Sequence, residues 1–136
     1  MDGTLVLLID IHKPNGFDWM NFKLTKNNPY TYHHIVERRN GGPRTLDNGA
    51  ILTSIGHNLL NILDIYCPDA YNDLQNVFTK INSSKDSPTD EIIGEVDNIL
   101  YRVLVSKEYK FLQKVDLSKY RRIYQENRKE LKKCLK

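Results

Sequence analysis

The spacing of apolar residues in this 136-residue chain changes near His57. Before that point, apolar, aromatic and β-branched residues occur in short runs that end at Pro, Gly or Asn, a pattern typical of strands and turns. After it, apolar residues recur every three or four positions, which is the spacing of a helix face. The change predicts an α+β protein in which a β-rich N-terminal segment is followed by C-terminal helices.

The predicted strands are separated by clear turn signals. They are residues 4–11, 30–37 and 50–55. Asn40-Gly41-Gly42-Pro43 is the strongest turn signal, and we expect the runs on either side of it to pair as a hairpin with a long basic loop. Residues 17–22 favour either a short strand or a loop anchored by aromatic side chains.

The helical part is divided by a proline break and a polar linker. Cys67-Pro68-Asp69 separates two predicted helices, and residues 83–88 form the linker. We expect the next helix to be capped by Ser87 and to begin at Pro88, and the last helix to cover about 117–135. All 136 residues are predicted to form a single domain, with a helical cover over about residues 70–136.

Composition excludes several classes of protein. With 27% charged and 40% hydrophobic residues, the chain is typical of a soluble globular protein. Its longest apolar run, residues 5–9, is far shorter than the roughly 20 residues of a membrane span, and no basic residue precedes it as in a signal peptide. Cys67 and Cys134 are too few for a disulfide framework. We therefore expect a cytoplasmic protein with free thiols and no membrane association.

Three of the four histidines lie in or beside the predicted hairpin and the helix that follows it. The pattern is His33-His34, the Gly-Gly turn, Asn48 14 residues after His34, His57 nine residues later, and Asn61. Residues four apart on a helix share a face, so His57 and Asn61 point to the same side. A hairpin packed over that face would bring a strand histidine close to both. The sequence therefore predicts a three-sided pocket suited to a metal ion and a general base.

This pattern resembles the His-Asn-His (HNH) endonucleases, whose core is the ββα-metal fold, over about residues 30–66. The resemblance implies metal-dependent hydrolysis of DNA phosphodiester bonds. It makes His34 the general base, a role that suits an imidazole at neutral pH, and makes Asn48 the residue that bonds across the loop and holds the backbone of the base. It also implies that His33, His57 and Asn61 bind one divalent metal ion, with Asn61 the weakest ligand.

Two departures from the family pattern leave the metal open. The paired C-x-x-C zinc knuckles of many relatives are missing, and the implied ligands are all neutral, whereas Mg²⁺ usually recruits a carboxylate. The ion is therefore Mg²⁺, Mn²⁺, Ni²⁺ or Zn²⁺, with imidazole donors suiting Mg²⁺ least. Asp64 and Asp47 are possible additional carboxylate ligands, although no motif supports either.

Basic side chains predict a nucleic-acid partner, DNA more than RNA. Arg38, Arg39 and Arg44 lie in the hairpin loop, where guanidinium groups can hold backbone phosphates, and residues 107–136 carry a net charge of +7. Two alternatives stay open. One is a catalytically degenerate HNH-fold module that binds nucleic acid or protein, for example a phage-encoded inhibitor of a host system. The other is a helical partner-binding protein in which residues 87–136 act and the histidines only pack.

Overall fold

The computed structural model describes residues 3–106, 108, 109, 112 and 114–134. These residues form five α-helices and one pair of antiparallel strands, so the predicted α+β class is confirmed. The elements in chain order are α1 (Gly3–His12), β1 (Tyr30–His34), β2 (Gly49–Thr53), α2 (Ser54–Tyr66), α3 (Pro68–Ser84), α4 (Asp90–Leu104) and α5 (Ser118–Cys134). Two short 3-10 helices, Arg38–Asn40 and Leu46–Asn48, lie in the loop between β1 and β2.

The predicted hairpin is present, with shorter strands than the sequence suggested. In its register Tyr30 lies opposite Thr53 and His34 lies opposite Gly49. All five residues of β2 are buried, because α1, α2 and α3 each contact this strand. The sheet therefore lies inside the molecule, and β1 carries the histidines along its edge.

The junction of β2 and α2 is fixed by hydrogen bonds from the preceding loop. Thr53, the last residue of β2, caps α2 by accepting a hydrogen bond from the Gly56 amide at 3.2 Å. The buried Asp18 carboxylate accepts from both the amide and the hydroxyl of Thr53, each at 2.7 Å. A Cβ atom at position 56 would collide with this carboxylate, which explains the glycine. Burial raises the pKa of Asp18 to about 6.

The helices downstream of α2 contribute a large share of the core. The predicted break at Cys67 and Pro68 is confirmed, since α2 ends at Tyr66 and α3 begins at Pro68. One face of α3 packs towards the hairpin, α4 packs on α3, and α5 packs on α4. Buried residues of this part include Leu74, Val77, Phe78, Ile81, Val96, Leu100, Val103 and Tyr124.

The predicted strand at residues 4–11 was wrong. Residues 4–11 lie in α1, which packs against β2, and Leu5, Leu8 and His12 form its buried stripe. Leucine is a good helix former, and a helix that is apolar nearly all round has no polar face to reveal its period. In sequence it therefore looks like a buried strand. No described helix, α1 included, has the length and apolar character needed to cross a lipid bilayer.

Residues 17–22 form a loop, joined to its continuation by a single bridge between Phe17 and Lys23. The loop alternative of the sequence prediction therefore holds for this segment. Its aromatic anchors are Trp19 and Phe22, both almost completely buried. The loop packs against the junction of β2 and α2, where its Asp18 carboxylate accepts hydrogen bonds from Thr53.

The predicted helix starts also need correction. Thr89 rather than Ser87 caps α4, because its hydroxyl accepts from the Ile92 amide at 3.2 Å, while the Ser87 hydroxyl donates to the Lys13 carbonyl. The helix that carries His57 begins at Ser54, since the Thr53 cap ends the strand earlier than expected. The last helix begins at Ser118, one residue after the prediction, and residue 135 lies outside the described part of the chain.

Candidate functional site

An open cleft of about 340 Å³ lies where the end of β1, the β1–β2 loop, α2 and the start of α3 meet. It contains both predicted histidine segments. Its lining residues are His33, His34, Glu37, Arg38, Arg39, His57, Asn61, Asp64 and Tyr71. The hairpin and helix therefore bring the three histidines of the motif to one place.

His33 is held in a defined tautomer by Gln75 of α3. The Gln75 amide nitrogen donates to the Ile35 carbonyl at 2.5 Å, which leaves its Oε1 as an acceptor. The Nε2 atom of His33 lies 2.7 Å from that oxygen and must therefore donate a proton to it. Nδ1 of His33 keeps its lone pair. Burial lowers the pKa of His33 to about 4, so the ring is neutral at physiological pH.

His57 is oriented in the same manner by Thr31 of β1. The Thr31 hydroxyl donates to the Leu52 carbonyl at 2.9 Å, so it accepts a proton from Nδ1 of His57, which lies 3.2 Å away. Nε2 of His57 therefore keeps its lone pair. Burial, together with the nearby His34, lowers the pKa of His57. The ring centroids of His33 and His57 are only 5.3 Å apart.

His34 is the most exposed of the three imidazoles. It is the last residue of β1, and its ring meets the ring of Tyr32 edge-on with centroids 4.8 Å apart. Neighbouring strand residues normally face opposite sides of a sheet. Here both His33 and His34 line the cleft, since the strand ends at His34 and the loop begins directly after it. Partial burial and the positive charges of Arg44 and Arg38 lower the pKa of His34.

Asn48 lies behind the cleft, among residues that do not line it. Its side-chain oxygen accepts from the Val36 amide at 2.8 Å, and its side-chain nitrogen donates to the carbonyls of Val36 and Pro43, each at 2.9 Å. Gly42 passes so close to the Val36 carbonyl that a Cβ atom there would overlap it. Asn48 thus fastens the loop directly after His34 without reaching the open space.

The rim of the cleft carries two carboxylates joined by an arginine. The guanidinium group of Arg39 contacts the Glu37 carboxylate and lies 3.2 Å from Oδ2 of Asp64. Glu37 also accepts from the Tyr71 hydroxyl at 2.5 Å. Asn61 and Asp64 follow His57 by four and seven residues and therefore share its face of α2.

Some predicted residues lie away from the cleft. Arg44 stacks over the Tyr32 ring, with its guanidinium carbon 4.3 Å from the ring centroid, and is not a lining residue. Asp47 is exposed and forms an ion pair with Lys85 at 2.8 Å, whereas Asp64 lines the cleft. Arg38 and Arg39 are thus the two loop arginines that reach it.

Sequence reasoning missed Glu37, Tyr71 and Gln75. Glu37 stands between the motif histidines and the Gly-Gly turn, so a search for carboxylates inside the motif would have found it. Gln75 is a polar residue between Leu74 and Phe78 on the buried side of α3, and such an interruption is a signal that something specific is being bonded.

The donor chemistry of the cleft fits a divalent cation. Metal-binding histidines are neutral and use their second nitrogen to donate to a fixed acceptor, as His33 and His57 do. Within the described part of the chain, no group of three or more His, Cys, Asp or Glu side chains is already arranged to hold an ion.

No protein-family model, curated protein or solved structure matches the chain.

Proposed function

We propose that the protein is a metal-dependent endonuclease that hydrolyses DNA phosphodiester bonds, with β1, β2 and α2 as a ββα-metal core of the HNH type. The observation that supports this most strongly is the convergence of three imidazoles in one cleft, two of which donate one ring N–H to a neighbour and keep a lone pair on the other nitrogen. That combination is unusual for histidines that serve only to fill a core, where both polar ends need partners.

His33 and His57 would hold the ion through the ring nitrogens that keep their lone pairs, and the exposed Asn61 would add its side-chain oxygen. A divalent cation in this place supplies positive charge that stabilises the phosphate and the leaving oxygen. Imidazole donors favour Zn²⁺, Ni²⁺ or Mn²⁺ over Mg²⁺. The partly buried hydrogen bonds to Gln75 and Thr31 hold both rings in place before any ion binds.

His34 is the proposed general base. It is partly exposed, so a water molecule can reach it, and its lowered pKa keeps the ring neutral and able to accept a proton. The positive charges of Arg38 and Arg44 contribute to that shift. Activity should therefore stay constant at neutral pH and fall only at a pH lower than that at which an ordinary histidine, with a pKa of about 6.5, becomes protonated. Asn48 holds the backbone that follows the base, and Arg38 and Arg39 would contact DNA phosphates.

The proposal is tested by nicking of supercoiled plasmid with Mn²⁺, Ni²⁺, Zn²⁺ or Mg²⁺. We expect His34→Ala and His57→Ala each to reduce the nicking rate at least about 100-fold, because each removes an essential group. His57→Ala should also weaken metal binding in calorimetry, whereas His34→Ala should leave it unchanged. Asn58→Ala, an exposed neighbour on α2, is the control. Equal nicking by the parent protein and His34→Ala would overturn the proposal.

The ion pairs of Arg39 favour a second candidate, a catalytically degenerate HNH-type module that binds nucleic acid or protein. In such a module the guanidinium group would permanently neutralise Glu37 and Asp64. Retention of DNA binding, with no binding of any of the four metals in calorimetry, would support this candidate over the nuclease.

A further inference from the structure

The candidate metal ligands of the cleft are neutral, yet two carboxylates line the same cleft. Asp64 lies on the His57 face of α2, two turns further along the helix. Glu37 lies three residues after His34, in the loop segment that begins where Asn48 holds the Val36 backbone. Asp64 is thus carried by the helix of His57, and Glu37 by the loop that directly follows the strand of His33 and His34.

The two carboxylates differ in how firmly they are held. The Tyr71 hydroxyl donates to Glu37 at 2.5 Å, and Tyr71 itself is buried in α3, so this carboxylate has a fixed partner besides arginine. Asp64 is about one-third exposed. Glu37 is about one-quarter exposed, so the pair forms a partly shielded negative patch in the cleft that the histidines also line.

Arg39 is the cation that now neutralises this patch. Its side chain is about two-thirds exposed while it contacts both carboxylates. Ion pairs in such exposed positions contribute little, because water and salt screen them and the side chain loses freedom to form them. The guanidinium group can therefore leave the carboxylates at small cost when a stronger partner is offered.

A phosphate is such a partner. The planar guanidinium fork matches two phosphate oxygens, and phosphate carries at least as much charge as a carboxylate. Arg39 lines the cleft and is mostly exposed, so a phosphate that enters the cleft can reach its guanidinium group. Movement of the guanidinium group onto that phosphate would leave two uncompensated carboxylates in the cleft that His33 and His57 also line.

We propose that Glu37 and Asp64 supply the charged oxygen ligands of this metal site, and that Arg39 neutralises them until a phosphate takes its guanidinium group. This inference rests on the metal site of the proposed function. It adds hard oxygen donors to the imidazoles, which makes Mn²⁺ the best match, since Mn²⁺ accepts both donor types. It also couples metal binding to phosphate binding.

The first test is the affinity for Mn²⁺ alone, measured by calorimetry. Arg39→Ala should bind Mn²⁺ about tenfold more tightly than the parent protein, because the carboxylates no longer have a competing cation. Arg44→Ala removes the same charge from the same loop without touching the carboxylates, and it should change the affinity by no more than about twofold. The gain should disappear in the double variants Arg39→Ala/Glu37→Gln and Arg39→Ala/Asp64→Asn.

The second test uses dimethyl phosphate as a probe of coupling. Saturating dimethyl phosphate should tighten Mn²⁺ binding to the parent protein several-fold and should have no effect on Arg39→Ala. Circular dichroism and thermal melting of each variant establish that it is folded. Because Glu37 also bonds to Tyr71, the Asp64→Asn pair provides the result if Glu37→Gln is unstable.

The outcomes separate this inference from the proposed function. Equal Mn²⁺ affinity of Arg39→Ala and Arg44→Ala would overturn the inference, even if His57→Ala and His34→Ala abolish nicking as the nuclease proposal requires. Absence of Mn²⁺ binding to both the parent and Arg39→Ala would also overturn it. A specific gain in Arg39→Ala without any nicking by the parent would support the carboxylate site and contradict the nuclease.

Discussion

The two sides of the cleft satisfy their polar groups in different ways. The inner wall, defined as His33 together with Asn48 and Gln75, which lie behind the lining residues, is at least partly buried and bonded to backbone or to its own members. The outer rim, defined as Arg38, Arg39, Asn61 and Asp64, is at least partly exposed, and its ion pairs, those of Arg39 with Glu37 and Asp64, join charged groups that water and salt also solvate. The inner wall is therefore set during folding, whereas the rim can change partners afterwards.

This difference predicts which property of the protein a mutation in each region should change. A buried hydrogen-bond network is expensive to break, because any group left without its partner has also lost water. An exposed ion pair leaves its groups solvated when it breaks. Changes in the inner wall should thus alter the free energy of unfolding, and changes in the rim should alter the binding of ions or phosphates.

The largest contrast is expected between two asparagines. Asn48→Ala removes three hydrogen bonds to loop backbone, so it should lower the free energy of unfolding by about 3 kcal/mol. Asn61→Ala makes the same chemical change on the exposed face of α2 and should alter it by less than about 0.5 kcal/mol. Urea denaturation measures both. Similar decreases in the free energy of unfolding of the two variants would contradict the proposed difference between the inner wall and the outer rim.

A smaller effect is expected from the pH dependence of stability. The pKa of His33 is about 4 in the folded protein, whereas its ordinary value is 6.5. Between these two pH values the ring is therefore protonated in the unfolded chain and neutral in the folded protein. The parent protein should therefore lose about 2 kcal/mol more than His33→Gln as the pH falls from 7 to 4.5.

The raised pKa of Asp18 acts in the opposite direction, because the folded protein takes up a proton there first as the pH falls below about 6. This contribution is common to both proteins, so the difference between their urea curves isolates His33. If the free energies of unfolding of the parent and of His33→Gln changed with pH in the same way, the His33 ring would not be shielded from water in the folded protein.

The smallest effect on stability is expected at Arg38. Its side chain is exposed, and Arg38→Ala should change the free energy of unfolding by less than about 0.5 kcal/mol. If Arg38 contacts one phosphate, the slope of log affinity for DNA against log salt concentration should decrease by about one. Fluorescence anisotropy over a salt series measures this slope, and an unchanged slope would place the DNA elsewhere.

Local patterns were enough to predict the hairpin, the long loop and the helix break. Aromatic and β-branched residues flank a Gly-Gly turn, and Pro68 begins a helix, so each signal is contained within a few neighbouring positions. The convergence of His33 and His57 also follows from local elements, because a strand that runs directly into a helix leaves few ways to place them.

What the sequence did not reveal depends on distant contacts or on missing periodicity. Gln75 reaches His33 across 42 positions, and Tyr71 reaches Glu37 across 34, so no window of neighbouring residues contains either pair. The helix α1 shows the other difficulty, since its exposed Val6 and Leu7 erase the polar face that identifies a helix. In both cases tertiary packing decides what local preference leaves open.

The absence of any connecting residue between β2 and α2 has a consequence for length changes. Thr53 is at once the end of the strand and the cap of the helix, so one added residue would turn the helix by about 100° relative to the sheet. His57 would then lose its hydrogen bond to Thr31, and the three histidines would no longer line the same cleft. Insertions in homologous or engineered chains should therefore gather in the loop after His34 and be excluded from this joint.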